Sequence, residues 1–288
     1  MFVITLIAKA RGLDPSLVES LRNAWGGQSA QWLAADEAAE FAVEAKPDNL
    51  WDVWADVQKM GVDLVCQPLN GRRKKMLLAD MDSTMIQQEC IDELADEAGV
   101  GAHVADITAR AMNGELDFEA ALIERVGLLK GLDETVIAKV LAERITYMPG
   151  GAALVRTMAA NGGHAALVSG GFTAFTAQVS AELGFNENRA NTLLVKDGRL
   201  TGDVGRPILG KAAKVQALNE ITARIGITPA DVIAVGDGAN DLGMLQAAGT
   251  GVALHAKPSV AEQCDARISH GDLTALLYLQ GYAKTEFA

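Results

Sequence analysis

Cysteines are few in this sequence, and long apolar runs are absent. Only Cys66, Cys90 and Cys264 occur among 288 residues, with no Cys-x-x-Cys spacing. This odd, widely spaced set argues against a disulfide framework and a thiolate metal site, and it suits a reducing compartment. No apolar run approaches the roughly 20 residues that cross a bilayer. The apolar start at residues 1–8 has no basic segment before it and predicts a strand, not a signal peptide. We therefore expect a soluble, cytoplasmic protein.

Basic residues are also scarce relative to acidic ones. The chain has 25 Lys and Arg against 37 Asp and Glu, a formal net charge of −12 and a pI near 4.8. Nucleic-acid binding needs a concentrated basic face, so this balance argues against it. The one basic cluster, residues 72–75, directly precedes an apolar run and predicts a solvated linker or strand entry. A small molecule is the expected partner, with no nucleic acid and no membrane.

The chain has enough length and apolar content, 49% hydrophobic residues, for two domains. In residues 1–71, strand and helix patterns follow the order βαββαβ, which predicts a ferredoxin-like sandwich. Strands are predicted near 2–8, 30–34, 40–45 and 62–67, and helices near 16–25 and 50–59. This order resembles ACT-type modules, which bind small amino acids or mediate pairing. A regulatory role, or a homodimer formed through this domain, is therefore an expectation.

From residue 72 onward strands are separated by helices, the pattern of an α/β doubly wound parallel sheet. Core strands are predicted at 75–79, 165–168, 232–235 and 251–254. A long helical stretch, residues 88–147, separates the first two strands, and an insertion at this point is expected to cap the active edge. The predicted second domain covers 72–288, with its core at 72–87 and 148–288.

Two aspartates stand at the tip of the first core strand. The apolar residues 76–79 end in Asp80 and Asp82, and Ser83 and Thr84 follow. Like charges this close raise the pKa of one carboxyl group, so the pair offers one ionised nucleophile and one proton carrier. An acidic turn without chemistry is the alternative for this stretch taken alone.

Two further core strands also end in polar groups. Ser169, Gly170 and Gly171 follow the second strand, and the third ends in residues 236–241, Gly-Asp-Gly-Ala-Asn-Asp. The carboxyl ends of parallel strands lie at one edge of a sheet, where α/β proteins bind ligands. The three segments are therefore expected to meet, which leaves the acidic-turn alternative weak.

Together these motifs resemble the haloacid dehalogenase superfamily of phosphotransferases over residues 74–288. The resemblance implies that Asp80 attacks phosphorus and forms an aspartyl phosphate. It also implies that Asp82 protonates the leaving alkoxide and then deprotonates water. The other implied residues are Asp80, the backbone carbonyl of Asp82 and Asp237 as metal ligands; Ser169, the Gly170 amide and Lys214 at the phosphoryl oxygens; and Asn240 and Asp241, which position metal waters and the lysine.

The identity of the lysine stays open, whereas the need for a metal follows from charge. Lys211 and Lys214 are both candidates, and the spacing from Lys214 to Asp237 better matches phosphoserine phosphatases. A carboxylate approaching a phosphate dianion is repelled by about 4 kcal/mol per charge pair at ~4 Å and an effective dielectric of ~20. A divalent cation is therefore expected, and an all-oxygen site suits Mg²⁺.

The helical insertion carries a clue to the substrate. After Asp117, a predicted helix cap, the apolar stripe includes Phe118 and Leu129. Arg125 falls within this stripe, about 20° from Phe118 and about 40° from Leu129 around the helix. A buried arginine needs an anionic partner, although a snorkelling or salt-bridged arginine is the ordinary alternative. Glu89 taken alone predicts only a solvated helix charge.

Taken together, Glu89 and Arg125 match the positions at which phosphoserine phosphatases read the ammonium and carboxylate of serine. Met112 and Phe118 match the apolar residues that close over the substrate in that family. The resemblance therefore implies hydrolysis of O-phospho-L-serine, the last step of serine biosynthesis. Two alternatives stay open: a related enzyme acting on another phosphomonoester, such as phosphohomoserine or a sugar phosphate, and a non-catalytic protein that senses an amino acid.

Overall fold

The computed structural model describes residues 1–112 and 115–288, without the side chain of Met112. Its first sheet is four-stranded and antiparallel, and two helices lie beside it in the chain order βαββαβ. The elements are β1 (Phe2–Ala8), α1 (Pro15–Ala24), β2 (Gln31–Ala34), β3 (Ala38–Val43), α2 (Leu50–Gln58) and β4 (Val62–Pro68). The strands lie in the order β2-β3-β1-β4, so the predicted ferredoxin-like arrangement is confirmed.

Both faces of this first sheet are buried. Ile4 and Leu6 of β1 pack with the helices α1 and α2, whereas Ile7 of β1 and Val65 of β4 belong to the hydrophobic core of the rest of the chain. Side chains alternate across a strand, so one strand can serve two cores only when both of its faces are covered. The first sheet therefore lies between its own helices and the second part of the molecule.

Polar contacts join the same two parts. The buried carboxylate of Asp63, in β4, accepts backbone N–H bonds from Ser269, His270 and Gly271 at 2.7–3.2 Å. Gln67, in the same strand, donates its amide to a backbone carbonyl near the C-terminus, that of Leu279, at 2.6 Å. Buried polar groups that are satisfied in this way hold a packing arrangement in one register.

The second sheet is formed by most of the remaining strands. All the remaining strands, in chain order, are β5 (Met76–Ala79), β6 (His164–Phe172), β7 (Glu187–Asn191), β8 (Leu193–Lys196), β9 (Arg199–Val204), β10 (Val232–Gly236), β11 (Thr250–Leu254) and β12 (Ala266–Ile268). Six of them form a parallel sheet in the order β12-β11-β10-β5-β6-β7, and β8 pairs with β9 as an antiparallel hairpin. The predicted doubly wound α/β sheet is confirmed.

Helices connect these strands and form the insertion. Four lie within the predicted insertion, residues 88–147: α3 (Cys90–Glu97), α4 (Gly101–Met112), α5 (Phe118–Gly127) and α6 (Thr135–Glu143). The others are α7 (Gly151–Ala160), α8 (Thr173–Leu183), α9 (Lys211–Ile225), α10 (Leu242–Ala247), α11 (Pro258–Ala261) and α12 (Ala275–Leu279), with 3₁₀ turns at Pro229–Asp231 and Lys284–Glu286. Among the described residues, no helix is both long and apolar enough to cross a membrane.

Four strands of the parallel sheet were predicted and two were missed. β5, β6, β10 and β11 are mainly apolar and are buried along most of their length. The missed strands, β7 and β12, are the two edges of the sheet. β7 is largely polar and β12 has three residues, so neither gives the apolar run by which a buried strand is recognised.

Candidate active site

The carboxyl ends of three neighbouring strands open into one pocket. β10, β5 and β6 are adjacent in the sheet; Asp237 and Asp80 directly follow β10 and β5, and Ser169 lies in the carboxyl-terminal half of β6. The pocket has a volume of about 320 Å³, and the cap helices α4 and α5 form its opposite wall. The sequence-predicted residues among its lining are Asp80, Asp82, Glu89, Phe118, Arg125, Ser169, Gly170, Lys211, Asp237 and Asn240.

One buried lysine links two of the carboxylates. Lys214 Nζ lies 2.7 Å from Asp80 Oδ1 and 2.6 Å from Asp241 Oδ1. The backbone N–H of Met81 also donates to Asp80 Oδ1, and that of Gly238 donates to Asp241 Oδ2. Among the described residues nothing donates to the second oxygen of Asp80, which is therefore free to react or to bind.

Burial and mutual repulsion set the charge of these groups. Burial, followed by the negative charge of Asp241, raises the pKa of Asp80 well above its ordinary value, and Lys214 opposes this shift. The same two causes raise the pKa of Asp237 to about 7. Burial works against the ammonium of Lys214, but the carboxylates of Asp241 and Asp80 outweigh it and raise the lysine pKa. The cluster therefore carries more negative charge than one lysine neutralises.

The same cluster fits a divalent cation. Asp80, Asp237 and Asp241 are buried, and each presents an oxygen within 4.8 Å of the others. Oxygen donors of this kind suit a hard ion such as Mg²⁺ or Ca²⁺, whose positive charge would relieve the repulsion that raises the carboxyl pKa values. The acidic cluster is thus positioned to bind a metal ion. Asp241, predicted only to position waters and the lysine, contacts that lysine and also lies within the cluster.

Asp82 lies between the core and the cap. Its Oδ1 accepts the N–H of Cys90, the first residue of α3, at 2.8 Å, and its Oδ2 accepts the hydroxyl of Ser169 at 3.3 Å. Burial raises the pKa of Asp82 and these donors oppose the shift. A Cβ added to Gly171 would lie 2.6 Å from Asp82 Oδ2, so the close approach of the two loops requires a glycine.

Glu89 reaches the pocket from the end of a tight loop after β5. Ser83 in this loop has a φ of 53°, an uncommon left-handed conformation, and its hydroxyl donates to Glu89 Oε1 at 2.6 Å. Burial and the negative charge of Asp82 raise the pKa of Glu89 well above its ordinary value. Glu89 lines the pocket, and no ion pair joins it to a cation among the described residues.

Arg125 lies on the opposite wall of the pocket. Asp117 caps α5 by accepting the N–H of Ala120 at 2.9 Å, as the sequence predicts. Arg125 is 6% exposed, and its guanidinium donates to Thr108 Oγ1 through Nη1 and to the backbone carbonyl of Ala121 through Nε. Burial lowers the pKa of Arg125, and the charge of Glu89 opposes the shift. Within the described residues Nη2 has no hydrogen-bond acceptor.

The other predicted residues are distributed as follows. Lys214 is the lysine buried at the carboxylates, whereas Lys211, three residues earlier in α9, is exposed at the rim of the pocket. Phe118 lies against Gly170, since a Cβ added there would meet its ring at 2.7 Å. Asn240 lines the pocket without a contact to the lysine among the described hydrogen bonds. Met112 ends α4, and its side chain lies outside the described residues.

Two polar residues that hold the core side of the pocket escaped the sequence analysis. Asn191, 1% exposed at the end of β7, donates to the carbonyls of Gly170 and Leu209 and accepts the N–H of Leu209. It thereby joins the last residues of β6 to the segment that enters α9. Thr84 donates its hydroxyl to Asp237 Oδ1 at 3.2 Å. A lone asparagine in a polar strand gives no sequence signal, although Thr84 stands inside a motif that was recognised.

The cap wall also has two residues that were not predicted. Thr108, on α4, is 3% exposed, and its hydroxyl donates to Asp92 Oδ1, on α3, at 2.7 Å. Because Thr108 also accepts from Arg125, three cap helices meet in one chain of hydrogen bonds. Each of these side chains is common on a helix surface, so neither departs from the expected pattern.

Comparisons with known proteins find similar sequences and similar structures. A phosphoserine phosphatase from Streptomyces coelicolor is 43% identical over 253 residues, which are 86% of this chain. The match covers 62% of that protein, so this chain spans less than two thirds of its length. A HAD family hydrolase from Salmonella enterica has a TM-score of 0.86 at 32% identity and covers 97% of this chain and 98% of its own.

A substrate-bound phosphoserine phosphatase structure is also similar, with a TM-score of 0.69 at 42% identity over 71% of this chain and 97% of that one. The profile of the haloacid dehalogenase-like hydrolases matches residues 77–246, which include the ends of β5, β6 and β10 and the whole cap insertion. The chain belongs to the haloacid dehalogenase-like hydrolase family.

Proposed function

We propose that this protein hydrolyses O-phospho-L-serine to L-serine and phosphate. One observation carries the proposal: a single pocket has a cluster of carboxylates and a lysine at one end, and an unpaired glutamate and an unpaired arginine edge at the other. Phosphoserine carries a phosphate at one end and an ammonium and a carboxylate at the other. Similarity to phosphoserine phosphatases, among them the Streptomyces protein, supports the same substrate.

The first step is an in-line attack by Asp80 on phosphorus. Its free carboxylate oxygen forms the new P–O bond, and the bond from phosphorus to the serine oxygen breaks. Asp82 gives its proton to the departing alkoxide, and its raised pKa favours the protonated form that this transfer needs. Ser169 and the Gly170 amide, which line the pocket, would donate to phosphoryl oxygens as charge builds.

The second step returns Asp80 to its starting state. Asp82, now a carboxylate, removes a proton from water, and the oxygen of that water attacks phosphorus. The bond between phosphorus and Asp80 breaks, which releases phosphate. Lys214 stabilises the carboxylate of Asp80 as it leaves, because its ammonium already lies 2.7 Å from that group.

Asp80 and Asp237, together with the backbone carbonyl of Asp82, would hold a divalent cation, and we propose Mg²⁺. When bound, such an ion lowers the repulsion between the phosphate and the attacking carboxylate. Asp241 and Asn240 would then fix the lysine and the surrounding waters, since Asp241 is already bound to Lys214.

The amino-acid end of the substrate would lie between Glu89 and Arg125. No ion pair joins these two residues among the described contacts, although the charge of Glu89 opposes the lowering of the Arg125 pKa by burial. A zwitterion placed between them supplies an ammonium to Glu89 and a carboxylate to Arg125, and this removes both unpaired charges. Phe118, and Met112 by family resemblance, would close the apolar side.

Phosphate release from a matched panel tests the proposal, with Mg²⁺ and with a chelator. Phosphoserine is compared with phosphoethanolamine, which lacks only the carboxylate, and with 3-phosphoglycerate, which has a hydroxyl where the ammonium stands. Phosphohomoserine, a hexose phosphate and an aryl phosphate complete the panel. Metal-dependent turnover with the highest kcat/KM for phosphoserine is expected. Metal-dependent turnover that favours phosphohomoserine or a sugar phosphate would keep the chemistry and reject the substrate.

We further propose that residues 1–71 form an ACT-like regulatory or pairing domain, and that residues 72–288 form the catalytic domain with its cap at 88–147. The antiparallel sheet with two helices supports the first assignment. The enzyme would act in the cytoplasm, at the last step of serine biosynthesis, and a homodimer would form through the first domain. Sedimentation of the full chain tests pairing, and a monomer at micromolar concentration would reject it.

A further inference from the structure

The cap wall contains a chain of hydrogen bonds that ends at the arginine. Asp92 on α3 accepts from the hydroxyl of Thr108 on α4, at 2.7 Å, and Thr108 Oγ1 accepts from Arg125 Nη1 on α5, at 2.9 Å. Thr108 and Arg125 line the pocket, whereas Asp92 is partly buried and absent from its lining. The chain of hydrogen bonds therefore runs from a residue of α3 outside the lining to the pocket surface.

The direction of each hydrogen bond in this chain is fixed by its members. A guanidinium can only donate, and a carboxylate can only accept. A hydroxyl has one proton, so Thr108 must give that proton to Asp92 and offer a lone pair to Arg125. With Nε also bound to the carbonyl of Ala121, the guanidinium plane is held at two points.

The hydroxyl between the two charges has a further consequence. A direct fork-to-fork pair between Asp92 and Arg125 would occupy both Nη atoms and leave little for a ligand. With Thr108 interposed, the carboxylate acts from a distance, and one edge of the guanidinium, with Nη2, has no acceptor among the described residues. The arrangement thus fixes the orientation of Arg125 and leaves one edge of its guanidinium available to a ligand.

We propose that Thr108 and Asp92 are positioning residues that aim Arg125 at the carboxylate of the substrate. This inference rests on the proposed function, since it assumes a ligand that carries a carboxylate. Removing the Thr108 hydroxyl should release the guanidinium without changing the phosphate end of the pocket. Thr108→Val is the test, because valine keeps the size and shape of threonine and lacks the hydroxyl.

Phosphoserine and phosphoethanolamine separate this role from a structural one. In Thr108→Val, KM for phosphoserine should rise about tenfold, the effect of losing one hydrogen bond to a charged group, with little change in kcat. Turnover of phosphoethanolamine and of an aryl phosphate should stay within about twofold of the unmodified protein. Asp92→Asn, which keeps the shape of the side chain, should change the two substrates in the same selective way and to a smaller extent.

Two matched variants serve as controls. Thr108→Ser retains the hydroxyl and should restore the preference for phosphoserine. Thr157→Val removes another buried threonine hydroxyl, on α7 away from the pocket, and should leave the ratio of the two substrates unchanged. Circular dichroism and thermal melting of each variant establish that it is folded.

The possible outcomes separate the inference from the proposed function. An unmodified enzyme with no preference for phosphoserine over phosphoethanolamine would overturn both. A clear preference that survives unchanged in Thr108→Val, or equal losses on both substrates in that variant, would overturn the inference and leave the proposed function standing. A selective rise of KM in Thr108→Val that Thr108→Ser reverses would support it.

Discussion

The two ends of the pocket are built in different ways. At the sheet edge, Lys214 lies within 2.7 Å of Asp80 and Asp241, so one lysine already holds two of the carboxylates in place. On the cap side, Glu89 and Arg125 come from separate elements and form no ion pair with each other among the described residues. The sheet edge is thus preorganised for one reaction, whereas the cap side keeps charge unpaired and needs a ligand to complete it. This difference separates chemistry from recognition.

The largest effect is expected when the sheet edge alone is disabled, which tests whether the two ends of the pocket have separate roles. Asp80→Asn keeps the shape of the side chain and removes its nucleophilic oxygen, and the cap is untouched. Turnover of every phosphomonoester should fall by at least about a thousandfold, whether or not the substrate carries an amino-acid group. Phosphate release from phosphoserine and from an aryl phosphate measures this fall in rate. A variant that keeps a near-normal rate on either ester would remove the covalent mechanism.

The metal requirement belongs to the sheet-edge end of the pocket, so it should be the same for every substrate. A chelator should stop turnover of all esters, and added Mg²⁺ should restore it. Asp237→Asn removes one carboxylate of the cluster, so the Mg²⁺ concentration for half-maximal rate should rise about tenfold or more. Asp203→Asn, at an exposed aspartate in β9, is the control. An unchanged Mg²⁺ dependence in Asp237→Asn would mean that Asp237 is not a metal ligand.

The cap side should respond in a selective manner. Arg125→Ala removes the guanidinium, and kcat/KM for phosphoserine should fall about a hundredfold, the usual cost of losing one partner of a buried charge pair. Phosphoethanolamine should lose little, because it has no carboxylate to bind. Arg110→Ala, at a half-exposed arginine on α4, controls for loss of a cap arginine in general. Equal losses on both substrates would make Arg125 a structural residue.

The sequence predicted the sheet edge better than the cap, for a physical reason. Asp80, Ser169 and Asp237 each directly follow an apolar run of strand residues, and adjacent parallel strands bring such positions together without further information. The residues on the cap side of the pocket are brought together by the packing of helices. The sequence does not show which of several polar helix residues that packing buries. Arg125 was found because it interrupts an apolar stripe, whereas Thr108 and its neighbour Asp92 interrupt nothing.

The choice between two lysines shows the same limit. Lys214 lies on the same face of α9 as Ala217, Leu218 and Ile221, which are all buried, so it belongs to the inward-facing stripe of that helix. Lys211 is one turn earlier near the same stripe, and the pattern alone could not separate them. The structure does so because α9 begins at Lys211, where the helix emerges at the pocket rim and the side chain reaches solvent.

The smallest effect on catalysis is expected far from both ends, at the contact between the first sheet and the core. Asp63 holds three consecutive backbone N–H groups of residues 269–271, and Asp63→Asn would place an amide N–H against donors. The free energy of unfolding should fall by about 3 kcal/mol, because hydrogen bonds to a buried charge are lost, while kcat/KM at 25 °C stays unchanged. Urea denaturation and phosphoserine turnover measure the two quantities, with Asp48→Asn as an exposed control in the same domain. A folded Asp63→Asn variant with impaired turnover would instead connect the first domain to the chemistry, and the separation between a catalytic edge and a supporting sheet would fail.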